Sequence, residues 1–191
     1  MSYGKKVKRS FDLILTFFLI IIFVPLIIII WFIIFISDGR PTIYWSRRVG
    51  QNNKIFIMPK FRTMKKETPQ VATHLLDGRS YLINGGSFLR KLSLDEIPQL
   101  WSILKGDMSF VGPRPALFNQ DDLIKLRTEK GVHKLVPGLT GWAQINGRDE
   151  LAVPVKVQFD EEYLYKRSFF LDLKIILLTF VKVILSKGVT H

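Results

Sequence analysis

The chain has 191 residues, 48% of them hydrophobic, which is the size and apolar content of one domain with a core. Its 28 Lys and Arg against 16 Asp and Glu leave a net charge of +12, which predicts an anionic partner such as nucleic acid, phospholipid headgroups or a phosphorylated substrate. With no cysteine and three His, disulfide scaffolds, thiolate zinc sites and Cys nucleophiles are excluded, and a His-rich metal site is disfavoured.

The first element is apolar. Leu13 to Ile36 is a run of 24 uncharged residues in which only Thr16 and Pro25 are not apolar. As a helix it reaches about 36 Å, enough for a hydrocarbon core of about 30 Å. The run ends in Ile34-Phe35-Ile36-Ser37-Asp38, which has no small-residue cleavage pattern, so it is read as a retained anchor rather than a signal peptide. Lys5, Lys6, Lys8 and Arg9 precede it, and Arg40, Arg47 and Arg48 follow, which pulls both ends toward the cytoplasm. Pro25 divides it into twelve apolar residues and eleven, each half about one leaflet deep. Two readings stand: a re-entrant helix–break–helix, favoured by the flanks, and a Pro-kinked spanning helix.

Beyond residue 37 no segment is long and apolar enough to span. Pro41 to Met58 reads as a hairpin, with Thr42-Ile43-Tyr44-Trp45 and Ile55-Phe56-Ile57 flanking Gly50-Gln51-Asn52-Asn53. Residues 65–85 read as a loop with a weak helix, and Leu117 to Lys130 as a surface helix. From Phe159 to Lys187 helical spacing returns, and Leu173, Ile176, Leu177, Phe180, Ile184 and Leu185 form a stripe beside Lys174, Lys182 and Lys187. That pattern suits an interfacial helix or an ordinary core helix.

Chemistry concentrates in the middle. Ser93 with Glu96 has the form of a capping box, or Asp95 itself caps the helix. Both readings put adjacent carboxylates at a helix N-terminus, where the dipole favours their ionised forms. An ionised Asp95 is a candidate nucleophile, and Glu96 a ligand for a hard cation; the bland alternative is that both only cap. Arg90, Arg114 and Arg148 stand beside Gly, Pro or helix-start signals, and guanidinium forks suit phosphate oxygens. Glycines at 106, 112, 138, 141 and 147 allow close backbone approach to a ligand, or serve as turn residues.

These blocks occur in a recognisable order: Lys8-Arg9-x-x-Asp12, Lys60-Phe61-Arg62-Thr63-Met64, Ser93-Leu94-Asp95-Glu96-x-Pro98-Gln99, Lys105-Gly106-Asp107-Met108-Ser109-Phe110-Val111-Gly112-Pro113-Arg114-Pro115, then residues 137–148 from Pro137-Gly138 to Gly147-Arg148, and Asp160-x-x-Tyr163 before Leu171-Asp172-Leu173. From about residue 5 to 188 the chain closely resembles the bacterial sugar transferases, the monotopic polyprenyl-phosphate phosphoglycosyl transferases, in their short, single-domain form.

The resemblance implies a fold that is mainly α with a small β component. Residues 1–37 would be a re-entrant anchor broken at Pro25, with Val24 where many members carry Ser. Residues 38–191 would be a catalytic domain with amphipathic interfacial helices, on the cytoplasmic face of the bacterial inner membrane. It also implies transfer of a phospho-sugar from a UDP-sugar, of N-acetylhexosamine type, to undecaprenyl phosphate with release of UMP. Asp95 would be the nucleophile of a ping-pong reaction and Glu96 would hold Mg²⁺. Arg114 and Arg148 would clamp phosphates or nucleotide, with Lys60, Arg62 and Arg90 as further binding residues. Asp160 and Asp172 fall where family acids belong to the site, with activation of the lipid phosphate as one role. Two alternatives compete. A membrane-tethered nucleic-acid binder would account for the charge, but the basic residues are dispersed and no nucleic-acid motif is present, so no nucleic-acid partner is expected. A non-catalytic partner of a polysaccharide assembly complex would not need Asp95 and Glu96 together.

Overall fold

In the computed structural model of the chain, residues 4–68, 81–147 and 151–184 are described. The apolar run forms α1 (Lys5–Asp38), a single helix that continues through Pro25. The expected division into two helices is therefore not seen as a break. A proline removes one backbone hydrogen bond from the ladder, and helical geometry survives when the surrounding turns are intact. Gly39, at φ 66°, ends α1 by returning its N–H to the Phe35 carbonyl at 3.0 Å.

One stripe of α1 faces the rest of the molecule along the whole length of the helix. Asp12, Thr16, Ile30 and Ile34 are buried, and Leu15, Leu19, Ile20, Phe23, Leu26 and Ile27 pack between them at helical spacing. The opposite stripe, including Ile14, Phe17, Phe18, Ile21, Ile22, Ile28, Phe32 and Ile36, is exposed. A contiguous apolar surface of this extent marks a membrane or partner face, and α1 is long and apolar enough to cross a bilayer.

The expected hairpin is present. β1 (Ile43–Val49) and β2 (Ile55–Phe61) pair antiparallel, with Tyr44 opposite Lys60 and Trp45 opposite Pro59. Then follow α2 (Gly86–Lys91), a 3-10 turn over Leu94–Gln99, and α3 (Leu100–Lys105). β3 (Ser109–Val111) pairs in parallel with β4 (Gly138–Thr140), with α4 (Asp121–Glu129) between them in sequence. The chain continues through α5 (Trp142–Asn146), α6 (Val153–Lys166) and α7 (Phe169–Ile184). Among the described residues the fold is thus mainly helical with two small sheets, as expected. The central core joins Met58, Leu100, Ile103, Met108, Phe110, Val111, Tyr163 and Ile175, and α1 covers it through Leu15, Leu19, Ile20 and Phe23.

Of the predicted C-terminal stripe, Leu177 and Phe180 are exposed, while α7 turns Asp172 and Ile175 into the core. Leu185 lies outside the described residues, as does residue 69–80 of the expected loop. The surface helix begins at Asp121, because residues 117–120 form a turn closed by Gln120 N donating to the Leu117 carbonyl at 3.2 Å.

Candidate active site

The two adjacent carboxylates lie on the 3-10 turn, not at the start of an α-helix. Ser93 sits in the left-handed region at φ 55°, makes no side-chain cap, and accepts the Glu96 N–H on its backbone carbonyl at 3.2 Å. Neither capping arrangement read from the sequence forms. The reason is electrostatic: the Glu96 side chain has stronger partners than a backbone N–H. Lys60 Nζ, from β2, donates to Glu96 Oε1 at 2.7 Å, and Arg114 Nη2 donates to the same oxygen at 2.8 Å. β2 packs on the 3-10 turn, and Arg114 comes from the loop after β3, so three separate segments converge on one carboxylate.

The loop after β3 is held in place by backbone contact. A side chain at Gly112 would put a Cβ 2.4 Å from the Val136 carbonyl, and one at Gly138 would put it 2.1 Å from Gly112 N. These glycines serve strand-to-strand packing rather than approach to a ligand.

The carboxylates differ in their electrostatics. Burial alone opposes ionisation of Glu96, but the Arg114 and Lys60 cations outweigh it and hold the carboxyl well below its usual range. Asp95 is 7% exposed, and burial pushes its pKa up, with the Glu96 charge adding to that push; Lys60, Arg90 and Arg114 act in the opposite sense. The helix dipole expected to favour the ionised form of both carboxylates is outweighed at Asp95, where desolvation dominates and a short 3-10 turn has little dipole to oppose it.

The other predicted site residues divide. Lys60, Arg90 and Arg114 gather around Asp95 and Glu96. Arg62 lies at the end of α1: its Nη2 reaches Asp38 Oδ2 at 2.6 Å and the carbonyls of Asp38 and Gly39 at 2.8 and 3.0 Å, while its Nε and Nη1 are buried with no hydrogen-bond partner among the described residues. Asp160, 1% exposed, is paired with Arg127; burial raises its pKa and Arg127 opposes the rise. Asp172, also 1% exposed, is paired with Lys8 and accepts a hydrogen bond from the Tyr163 hydroxyl at 2.8 Å. Arg148 lies outside the described residues.

Arg127 was not singled out by sequence reading. The available signal was its position four residues after Leu123, where the spacing of α4 calls for a buried residue.

For a metal, the described residues contain no cluster of three or more His, Asp or Glu. Lys60 and Arg114 both occupy Oε1 of Glu96, leaving Oε2 outside these two bonds. That donor set fits a hard divalent cation that takes one protein carboxylate and draws its remaining oxygens from a phosphorylated ligand and water. It does not fit a cation caged by protein alone.

A family model described as bacterial sugar transferase matches residues 3–186. The chain is 42% identical over 184 residues to the uncharacterized sugar transferase EpsL of Bacillus subtilis, covering 95% of this chain and 89% of that protein. It is 37% identical over 203 residues to the exopolysaccharide production protein ExoY of Rhizobium meliloti, covering 97% and 88%. It is 35% identical over 193 residues to the UDP-glucose:undecaprenyl-phosphate glucose-1-phosphate transferase of Escherichia coli, covering 97% of this chain and 42% of that protein.

Proposed function

The chain belongs to the bacterial sugar transferase family, and on that premise we propose that it is a phosphoglycosyl transferase moving a phospho-sugar from a UDP-sugar to undecaprenyl phosphate. The observation that carries this reading is the buried Asp95 beside a Glu96 whose single oxygen is gripped by Lys60 and Arg114. A carboxylate set among cations suits transfer of a phosphosugar from a diphosphate donor to a phosphate acceptor, since catalysis there is placement and charge neutralisation.

In the proposed reaction a carboxylate oxygen of Asp95 attacks the sugar-bearing phosphorus of the donor. The phosphoanhydride bond breaks, its electron pair leaves with UMP, and an acyl phosphate links the sugar phosphate to Asp95. A phosphate oxygen of undecaprenyl phosphate then attacks the same phosphorus, the bond to Asp95 breaks, and the carboxylate is restored. Arg114, Arg90 and Lys60 bind and orient the donor phosphates, and Lys60 and Arg114 keep Glu96 ionised. Glu96 would hold Mg²⁺ together with the donor diphosphate, and that ion would supply further neutralisation of phosphate charge.

The acceptor is a membrane lipid, so the site must sit at headgroup height. A re-entrant α1, bent at Pro25 while its helical hydrogen bonding continues on either side, would enter and leave by the cytoplasmic face and hold the site there. What supports that topology is that both ends of α1 bind the same catalytic domain. Arg9 donates to the carbonyls of Ile103 and Leu104 at 2.5 and 2.7 Å, and Arg62 binds Asp38 at the other end.

The test is UMP release by the full chain in lipid nanodiscs containing undecaprenyl phosphate, across a panel of UDP-sugars. The N-acetylhexosamine reading rests on resemblance, and the E. coli relative is named for glucose, so the panel carries both. Release with at least one donor, accompanied by a lipid-linked sugar diphosphate, is expected. No release with any donor, from folded protein with Mg²⁺ present, would sink the proposal.

A further inference from the structure

Arg127 and Leu123 are the buried positions of α4, and a guanidinium placed among core residues needs partners for its donors. Arg127 has them. Its Nε and Nη2 donate to Asp160 Oδ2 at 3.0 and 2.6 Å, and its Nη1 donates to the backbone carbonyl of Arg114 at 2.7 Å. With Asp160 only 1% exposed, the pair is sealed from solvent.

The loop bearing Arg114 explains what such a brace does. Pro113 and Pro115 flank Arg114 and have no N–H, so they cannot donate to a backbone ladder. The loop is held by its carbonyls instead. Gly138 N donates to the Pro113 carbonyl at 2.9 Å, Arg127 to that of Arg114, and Arg48 Nη1 to that of Pro115 at 3.2 Å. The middle carbonyl belongs to the residue whose guanidinium reaches Glu96 Oε1 at 2.8 Å.

We infer that the buried Asp160–Arg127 pair is a positioning device: it fixes the Arg114 backbone, and so the reach of the Arg114 guanidinium onto Glu96 and the phosphates beside it. The kinetic consequence rests on the proposed phosphosugar transfer; the role goes beyond it, because it assigns the buried pair to the Arg114 backbone rather than to the donor or the acceptor. A displacement of about 1 Å in a phosphate clamp costs roughly a hundredfold in rate, so a loosened brace is measurable.

The experiment is a two-by-two comparison in nanodiscs of the parent, Asp160→Asn, Arg114→Ala and the double variant, read as single-turnover UMP release per folded molecule. Asp160→Asn keeps an acceptor for Arg127 and removes its charge. We expect it to slow release by about tenfold or more, and the double variant to be no slower than Arg114→Ala alone, since nothing remains for the brace to act through. Arg127→Lys, with one nitrogen in place of three, should give the same pattern and serves if Asp160→Asn does not fold. Effects that multiply in the double variant, or an Asp160→Asn rate equal to the parent's, would overturn the inference. A parent that releases no UMP defeats the proposed function instead. Donor affinity measured by calorimetry in an Asp95→Asn background then decides the brace on its own: coupled losses at Asp160 and Arg114 support it, and independent losses overturn it.

Discussion

Lys8, in the first turn of α1, is ion-paired with Asp172, in the first turn of α7, at 2.5 Å across 164 residues of sequence. The Tyr163 hydroxyl, from α6, joins the pair through Asp172 Oδ1 at 2.8 Å. The apolar helix is therefore bolted to the rest of the fold near its start by charge, and near its end by the Arg62–Asp38 pair. A helix fixed at both ends to one domain cannot put those ends on opposite sides of a bilayer unless the domain follows.

Topology is tested directly by this arrangement. Lys6→Cys and Ser37→Cys, each introduced singly into a chain without cysteine, should both resist a membrane-impermeant thiol reagent applied to intact cells, and both should label after the inner membrane is opened. Labelling of one site from outside would make α1 a spanning helix.

The Lys8–Asp172 pair should also matter for stability. Asp172→Ala takes from Lys8 its ion-pair carboxylate, which is 1% exposed, and leaves the Tyr163 hydroxyl with its longer contacts, to the Val111 carbonyl at 3.3 Å and Lys8 at 3.5 Å. Breaking a buried pair from one side costs about 3–5 kcal/mol. Asp172→Asn keeps the oxygen that Tyr163 uses and should lose less. Thermal unfolding in nanodiscs, followed by near-ultraviolet circular dichroism, reads the order parent, Asn, Ala; an Ala variant as stable as the parent would remove the pair from the ledger of stabilising contacts.

Much of this was legible in the sequence, and the exceptions have physical causes. The long apolar helix, the β1–β2 hairpin and α4 follow from apolar runs, alternation and turn residues, which are local properties. The exposed stripe of α7 follows from spacing, but spacing does not say which stripe faces the core, and Asp172 on the inner stripe is explained only by Lys8, 164 residues away. The capping reading of Ser93 failed because Glu96 is claimed by Lys60 and Arg114, two cations that sequence distance hides. Arg62 has the residue type of a phosphate ligand and sits within a motif block, and its Nη2 also binds the end of α1, a contact that sequence distance hides. Residue type indicates what a side chain is able to bind; the fold decides what is near enough.

Metal dependence follows from the donor set at Glu96. EDTA should abolish UMP release and Mg²⁺ restore it. Glu96→Gln, which keeps the shape and removes the charge a hard cation needs, should lower release at saturating Mg²⁺ by about a hundredfold or more. Unchanged turnover in EDTA would take the metal out of the reaction.

The pH profile should show one acid limb. As the proposed nucleophile Asp95 would act only when ionised, and burial raises its pKa above the ordinary carboxylate value, so release should rise with pH through a single ionisation in that raised range. Glu96 is held far below its usual range and contributes no second limb. Arg90 lowers the Asp95 pKa, so Arg90→Met should move the limb to higher pH, while a purely steric role for Arg90 would lower the rate without moving it.

The covalent step is separable from the transfer to lipid by withholding the acceptor. Mixed with its donor in the absence of undecaprenyl phosphate, the protein should release UMP in a burst of up to one equivalent and gain the mass of a phosphosugar. Peptide mapping should place that mass on the segment carrying Asp95, and adding undecaprenyl phosphate should discharge it. Asp95→Asn should form no adduct, since an amide is a poor nucleophile and cannot give an acyl phosphate. Asp95→Glu keeps the carboxylate but moves it by one methylene, and in a site this buried, where Lys60, Arg90 and Arg114 are fixed around the native position, the displacement should cost roughly a hundredfold. Near-parental turnover by Asp95→Asn would move the nucleophile elsewhere. Asp160 and Asp172 are then poor substitutes, because each is 1% exposed and already paired, with Arg127 and Lys8 respectively. Product formation with no adduct at any time would replace the two-step scheme with direct transfer from donor to lipid phosphate, and Asp95 would then serve only to orient the attacking oxygen.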